Sequence, residues 1–380
     1  MATTGRTSTA ATAVGDVVAV LSDARFVRVI ASDHGDALAA SGVLAGALGD
    51  NDVPFQVRVI ATPDDRTWRT DGPDECVVAV GLESTAADAV IDPATIPTSI
   101  NSWQVSRELG GDPDPTLALA GVVAAGVAPG AEGTVPPLQE AVLERRPGVA
   151  VPTADLADGL AHSTLVHAPF SGDESAAGAA LADLSLPPEL DEPARRQIAS
   201  FVAIETSDAA SDRASRAVER FMRPYVTPTG PFETLGGYAD VLDALATTAP
   251  GTGVALALGR DVRSRALEEW REHAIRLHEG LQTAHTGRYD GLYVGRHEDW
   301  PTATAARLLL NYQSPEPVAL AVGTGEATLA GAGDRDLGAI AKTAADAVDG
   351  QASDGGHRAR VEFDPALAAT DVVSAVREAQ

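Results

Sequence analysis

Three short runs of β-branched and other apolar residues stand near the beginning of the chain: FVRVIA at 26–31, FQVRVI at 55–60 and CVVAV at 76–80. Each has the length and composition of a strand. Between the first two, ALAASGVLAGAL at 37–48 is rich in Ala and Leu and predicts a packed helix. The spacing predicts βαβ units and an open parallel sheet, in which the loops after the strands gather along one edge. Such an edge would bring Ser32 to Asp36, Asp64, Asp65 and Glu83 toward one crevice, an arrangement suited to metal binding. The same residues read equally well as caps and turns on an acidic surface.

Further along, 117–128 reads as a buried Ala/Val helix and PGAEGTVPP at 129–137 as a loop. From 155 to 222 helical patches alternate with Pro- and Asp-rich breaks such as LPPELDEP, which predicts a helical connector. From 233 the α/β pattern returns. It predicts helix 237–246, strand 253–258, helix 261–283, strand 289–294, helix 302–311, strand 317–322, helix 336–348 and strand 358–363. In ALEEWREHAIRLHEGLQ at 266–282, Leu267, Trp270, Ala274, Leu277 and Leu281 share one helix face and predict core packing, as do Tyr238 and Trp300.

At 380 residues the chain can bury two cores. Its one cysteine, Cys76, allows neither an intramolecular disulfide nor a Cys-based zinc knuckle, which fits a reducing interior. The start of the chain lacks a basic region followed by an apolar stretch, and 117–128 is too short to cross a bilayer. A cytoplasmic protein without a membrane span is therefore expected.

Lys and Arg number 28 against 54 Asp and Glu, a formal net charge of −26. Only Lys342 is a lysine, so the other 27 of the 28 are arginine. This resembles the proteome of a halophile, where at about 1 M salt the Debye length is ~3 Å and self-repulsion is screened. The charge then says little about partners. Lysine scarcity removes a P-loop and leaves only Lys342 for a Schiff base. The glycine pairs 323/325 and 331/333 approach GxGxxG, but Thr328 and Asp336 take the third place, so both predict turns. No GxSxG or HExxH occurs. The pairs His162/His167 and His273/His278 are five apart, on different helix faces, and predict scattered surface histidines.

The segment VRVIASDHGDALAASGVLAGAL resembles motif I of the DHH phosphoesterase superfamily, in particular the RecJ-like exonucleases of archaea, where a strand leads into His-x-Asp-x-Asp-Gly and a helix. The stretch from AVGTGEATLAGAG to DGGHRARVEF resembles the DHH-associated C-terminal domain, and the stretches starting LAHSTLVHAPF and PFETLGGYADVL resemble the intervening parts, in the family's order. The resemblance implies an α/β protein in three parts: a DHH-like parallel-sheet domain over 1–150, a helical connector over 151–232, and a smaller DHH-associated α/β domain over 233–380.

The departures from that pattern shape the functional expectation. Aligned on Asp36, the family's leading His falls on Ser32, its first Asp on His34 and its Gly on Ala37. Gly81 stands where the family has a further Asp, with Glu83 two residues on, and AAGVAPG follows the helix 117–128 where another ligand is expected. Ser32, Asp33, His34 and Asp36 thus form a remnant of motif I, with no catalytic group, metal or cofactor expected. An improvised manganese site from Asp33, His34, Asp36, Asp64 and Glu83 is the alternative.

The Gly-Gly-His segment is retained. Gly355, Gly356, His357, Arg358 and Arg360 would contact single-stranded nucleic acid through close backbone approach, stacking and hydrogen bonds. Glu326, in the turn where the family bears arginine, would oppose a phosphate. The resemblance implies a RecJ-like, non-catalytic nucleic-acid-binding or scaffolding subunit of DNA replication or repair. Its implied partners are single-stranded nucleic acid and GINS- and MCM-type replisome proteins. A manganese-dependent single-strand exonuclease or phosphodiesterase and a nucleotide-sensing pseudoenzyme are the alternatives.

Overall fold

The computed structural model describes residues 14–61, 75–91, 96–206, 212–332, 335–354 and 358–380. The first part contains α1 (Val14–Ser22), β1 (Phe26–Ser32), α2 (Gly35–Asp50), β2 (Phe55–Ile60), β3 (Glu75–Val80), β4 (Ala89–Ile91), α3 (Thr98–Glu108), α4 (Pro115–Ala124), α5 (Val135–Glu140) and β5 (Glu144–Arg145). Strands β1 to β4 form a parallel sheet in the order β2-β1-β3-β4, with Val29 opposite Val57 on one side and Val78 on the other. β3 reads as a continuous apolar run because both its faces are covered, whereas the edge strand β2 alternates half-buried and exposed residues along most of its length. Val27, Val29, Val78 and Val80 pack against Leu44 and Leu48 of α2, while Ile30, Val77 and Ala79 form a smaller cluster with Leu82. Helix α2 is buried along most of its length, since its other side, Leu38, Ala39 and Val43, meets α3 and α4.

The middle of the chain holds α6 (Leu156–His162), α7 (Glu174–Ala182), α8 (Glu192–Thr206), α9 (Asp212–Phe221), β6 (Tyr225–Val226), α10 (Leu235–Thr248), α11 (Pro250–Ala257) and α12 (Arg263–Thr283). Strand β6 pairs with β5. Helix α10 lies against α2 and α4, joining Val241, Leu242 and Leu245 to Leu38, Leu119 and Val122, so residues grouped by sequence with the C-terminal part share the core of the first. On α12 the expected face is buried, with Trp270, Ala274 and Leu277 at 0% exposure, and Tyr238 and Trp300 are buried as well.

The last part comprises β7 (His285–Tyr289), β8 (Leu292–Arg296), α13 (Thr302–Leu308) running into a π-helical turn at Leu309–Gln313, β9 (Val318–Val322), β10 (Glu326–Gly331), α14 (Leu337–Ala347), β11 (Gln351–Asp354), β12 (Arg358–Glu362) and α15 (Ala369–Ala379). The sheet order is β11-β12-β10-β9-β8-β7, with β8 and β9 parallel and the other neighbours antiparallel. Leu320, Leu329 and Val361 pack under α14 and α15, while Ala319, Ala321 and Ala330 face the connector, α12 and α13. The architecture is the expected one: an α/β chain with an N-terminal parallel sheet, helices, and a C-terminal sheet.

Three local expectations need correction. Residues 253–257 belong to helix α11, with Leu258 as its C-cap: Pro250 at its first position sets φ for the first turn, and Ala and Leu favour the helix that reaches α2. The strand expected at 289–294 spans a hairpin turn, because Asp290-Gly291 reverses the chain between β7 and β8. The loop expected at 129–137 ends in α5, whose Pro136 lies within the first turn. Among the described residues no helix is long and apolar enough to cross a membrane.

Candidate functional site: a closed strand-end crevice

Strand β1 ends at Ser32, and Asp33 and His34 turn the chain into α2. His34 caps that helix, its Nδ1 accepting the Ala37 N–H at 3.3 Å. A ring nitrogen that accepts carries no proton, so the neutral imidazole bears its proton on Nε2, which is buried and has no hydrogen-bond partner among the described residues. Burial, with Arg358 nearby, lowers the His34 pKa and favours that neutral form.

Asp36, where the sequence resemblance implies a metal ligand, has a structural task. Its Oδ2 accepts the Thr98 N–H at 2.7 Å and its Oδ1 the Ser99 N–H at 3.0 Å, so it holds the first turn of α3 and is 2% exposed. Burial raises its pKa, against the pull of those donors and of His34. Across the crevice Gly81 adopts φ +71°, and its carbonyl accepts the Ser32 hydroxyl at 2.9 Å. A Cβ at Gly81 would lie 2.8 Å from both Ala37 Cβ and Ser32 Oγ. Ser32 and Ala37 therefore fill the space that a side chain at Gly81 would need.

The remaining carboxylates face the C-terminal sheet. Strand alternation sets Arg358 and Arg360 on the same side of β12, away from the core residues Ala359 and Val361. Arg360 Nη2 lies 2.6 Å from Asp33 Oδ2, and its Nε 3.8 Å from Glu326. Arg358 Nη2 lies 3.3 Å from Asp243 Oδ1, which also accepts the Gly35 N–H at 3.2 Å. Burial alone would raise the Asp243 pKa, but Arg358, Arg307 and the Gly35 N–H outweigh it and hold the carboxyl at about 2. Asp33 and Glu326 likewise raise the Arg360 pKa in spite of its burial.

The crevice enclosed by Ser32, Asp33, His34, Thr328, Arg358 and Arg360 has a volume of ≈ 60 Å³. A larger cleft of ≈ 530 Å³ opens beside it, bordered by the acidic residues Asp33, Glu298, Asp299, Glu326 and Glu362 and by Arg276 and Arg360. Glu83 is exposed and does not line the crevice, and Asp64, Asp65, Gly355, Gly356 and His357 lie outside the described residues. Two-metal hydrolysis needs several carboxylates and imidazoles converging on cations ~3.5–4 Å apart. Among the described residues no three His, Cys, Asp or Glu side chains converge in that way, so they do not fit a two-metal centre.

Sequence reading missed Asp243 and Asp240, although two acids inside the apolar stretch YADVLDALA are a visible signal of buried polar structure. Asp240 accepts the Thr164 N–H at 3.0 Å and the Trp270 Nε1–H at 3.1 Å, and bonds the Thr164 hydroxyl. The histidines also differ from expectation. His162, His273 and His278 are buried, and His167 stacks on His278 with their Nδ1 atoms 3.1 Å apart. Residues five apart lie about 140° apart on a helix. On α12 both directions are covered, by the connector and by α13.

Compared with known structures, the chain superposes on CDC45 from Entamoeba histolytica with a TM-score of 0.58 and 9% identity, covering 96% of this chain and 97% of that one. RecJ of Thermus thermophilus in complex with Mn2+ gives a TM-score of 0.47 and 15% identity, over 96% of this chain and 54% of that one. The chain thus shares the fold of CDC45. Residues 284–378 match the family described as uncharacterized protein rrnAC1427, C-terminal domain. The rrnAC1427 protein of Haloarcula marismortui is 47% identical over 387 residues, covering 100% of both chains, and the present chain belongs to its family.

Proposed function

We propose that this chain is a non-catalytic RecJ-like pseudoenzyme, a cytoplasmic nucleic-acid-binding or scaffolding subunit in DNA replication or repair, with single-stranded nucleic acid and GINS- and MCM-type proteins as its partners. The observation that carries the reading is the state of the strand-end crevice. Asp33, the carboxylate that lines it among the described residues, is matched by Arg360, Asp243 is matched by Arg358, and Asp36 is engaged in capping α3. Protein guanidiniums supply the positive charge that metal ions would contribute, and a guanidinium cannot activate water as a bound metal does. What remains suits binding and support of neighbouring proteins. The fold shared with CDC45 supports the same direction.

Purified protein incubated with manganese at molar KCl should leave single-stranded DNA, RNA and dinucleotides intact. Immunoprecipitation from native cells at high salt should recover replisome proteins. Metal-dependent degradation that disappears in Asp33→Ala overturns the non-catalytic reading in favour of a manganese exonuclease.

A further inference from the structure

Arg358 and Arg360 each serve two demands. They are the described cations of the segment expected to contact nucleic acid, and they also bridge the two halves of the molecule. Arg358 reaches Asp243 on α10 and Arg360 reaches Asp33 beyond β1. The side chains of these pairs are 22% and 10% exposed, and 11% and 19% exposed, so bulk salt screens them less than it screens surface pairs. A guanidinium presents the same planar fork to carboxylate and to phosphate, so the two anions are direct competitors for it. With the pairs made, the crevice of ≈ 60 Å³ is far below the several hundred Å³ of ordinary ligand sites, whereas the adjoining cleft of ≈ 530 Å³ reaches Arg360 and Asp33 from outside.

We infer that Asp33 and Asp243 act as intramolecular competitors of nucleic-acid phosphate, forming an autoinhibitory latch that must part before a single strand engages β12. This rests on the nucleic-acid-binding reading above and adds its regulation. A strand that engages β12 exchanges Asp33 for a phosphodiester oxygen on Arg360, against the repulsion of Glu326, and the two halves separate as the second pair, Arg358 with Asp243, follows. Binding and opening are then one equilibrium: removing a competing carboxylate favours both.

The test compares wild type, Asp33→Asn, Asp243→Asn, Arg360→Ala and the double variant Asp33→Asn/Arg360→Ala. Affinity for a fluorescein-labelled oligodeoxythymidine is read by anisotropy at molar KCl, and the separation of the halves by small-angle scattering. Each Asn retains the shape of the side chain, and in Asp243→Asn the amide oxygen can still accept the Gly35 N–H. Asp33→Asn should bind about tenfold more tightly than wild type, as loss of one charged competitor implies, and should be more open without ligand. Adding Arg360→Ala should abolish the gain. Equal affinity of wild type and both Asn variants, with weaker binding in an Arg360→Ala single variant, removes the latch and leaves the nucleic-acid reading standing. Absence of binding in every folded variant, Asp33→Asn included, removes the nucleic-acid reading and the latch with it.

Discussion

Adding a single methyl group at Gly81 probes whether the crevice is closed by its own side chains. Gly81→Ala carries two costs. Holding a non-glycine residue at φ +71° costs about 1 kcal/mol. The new Cβ would also lie 2.8 Å from Ala37 Cβ and from Ser32 Oγ. Ser32 can rotate, at the expense of its bond to the Gly81 carbonyl, but Ala37 is fixed in the first turn of α2 and cannot move without the helix. Crowding of that kind costs roughly 1–3 kcal/mol, so the total is about 2–4 kcal/mol. Gly110→Ala is the matched comparison, because Gly110 has φ +84° and a Cβ there would meet nothing within 4 Å. It should cost the conformational part alone. Denaturant unfolding of both variants and wild type at one fixed molar KCl concentration gives the two differences. If the variants agree within about 0.5 kcal/mol, the crevice has room at Gly81, and the claim that Ser32 and Ala37 fill the space a side chain there would need is refuted.

Stability should also depend on acidity through the buried histidines. Burial lowers His167 to about 4 and His273 and His278 to about 3, so below the unfolded value of about 6.5 the unfolded chain takes up protons that the folded chain refuses. Their contribution is fully present above about pH 6.5 and is lost as pH falls toward 4, by about 1.4 kcal/mol per unit for each histidine. Asp36 and Asp240, whose pKa values burial raises, act with the opposite sign and reduce the net slope. His278→Gln should flatten the fall in denaturation midpoint between about pH 8 and pH 5, and an unchanged slope would contradict this assignment. Finally, a net charge of −26 should make the melting temperature rise by several degrees from dilute to molar KCl, and a flat or falling curve would oppose a salt-adapted surface.

Periodicity along the chain is a local quantity, and what it determines is local. β1, β2 and β3, the buried helix α2 and the apolar face of α12 follow from residues within one strand length or a few helical turns, and the structure places them as the pattern demands. The order of motifs pointed to the fold that the chain shares with CDC45. Where local signals compete, the pattern is ambiguous. GVALALG alternates small and apolar residues as a strand does, and Pro250 before it together with contact with α2 decides for helix α11.

The chemistry of the crevice was beyond reach for a different reason. Arg358 meets Asp243 across 115 residues of sequence, and Asp33 and Arg360 come from opposite ends of the chain. Nothing near either arginine distinguishes a solvated cation on a strand from one that closes an interface. The same holds for His167 and His278, which the connector and α12 bring into contact over 111 residues. Burial and ion pairing are properties of what lies opposite a residue. The sequence could name these side chains as charged or titratable, but only the packing of the two halves decided which charge each would face and whether water would reach it.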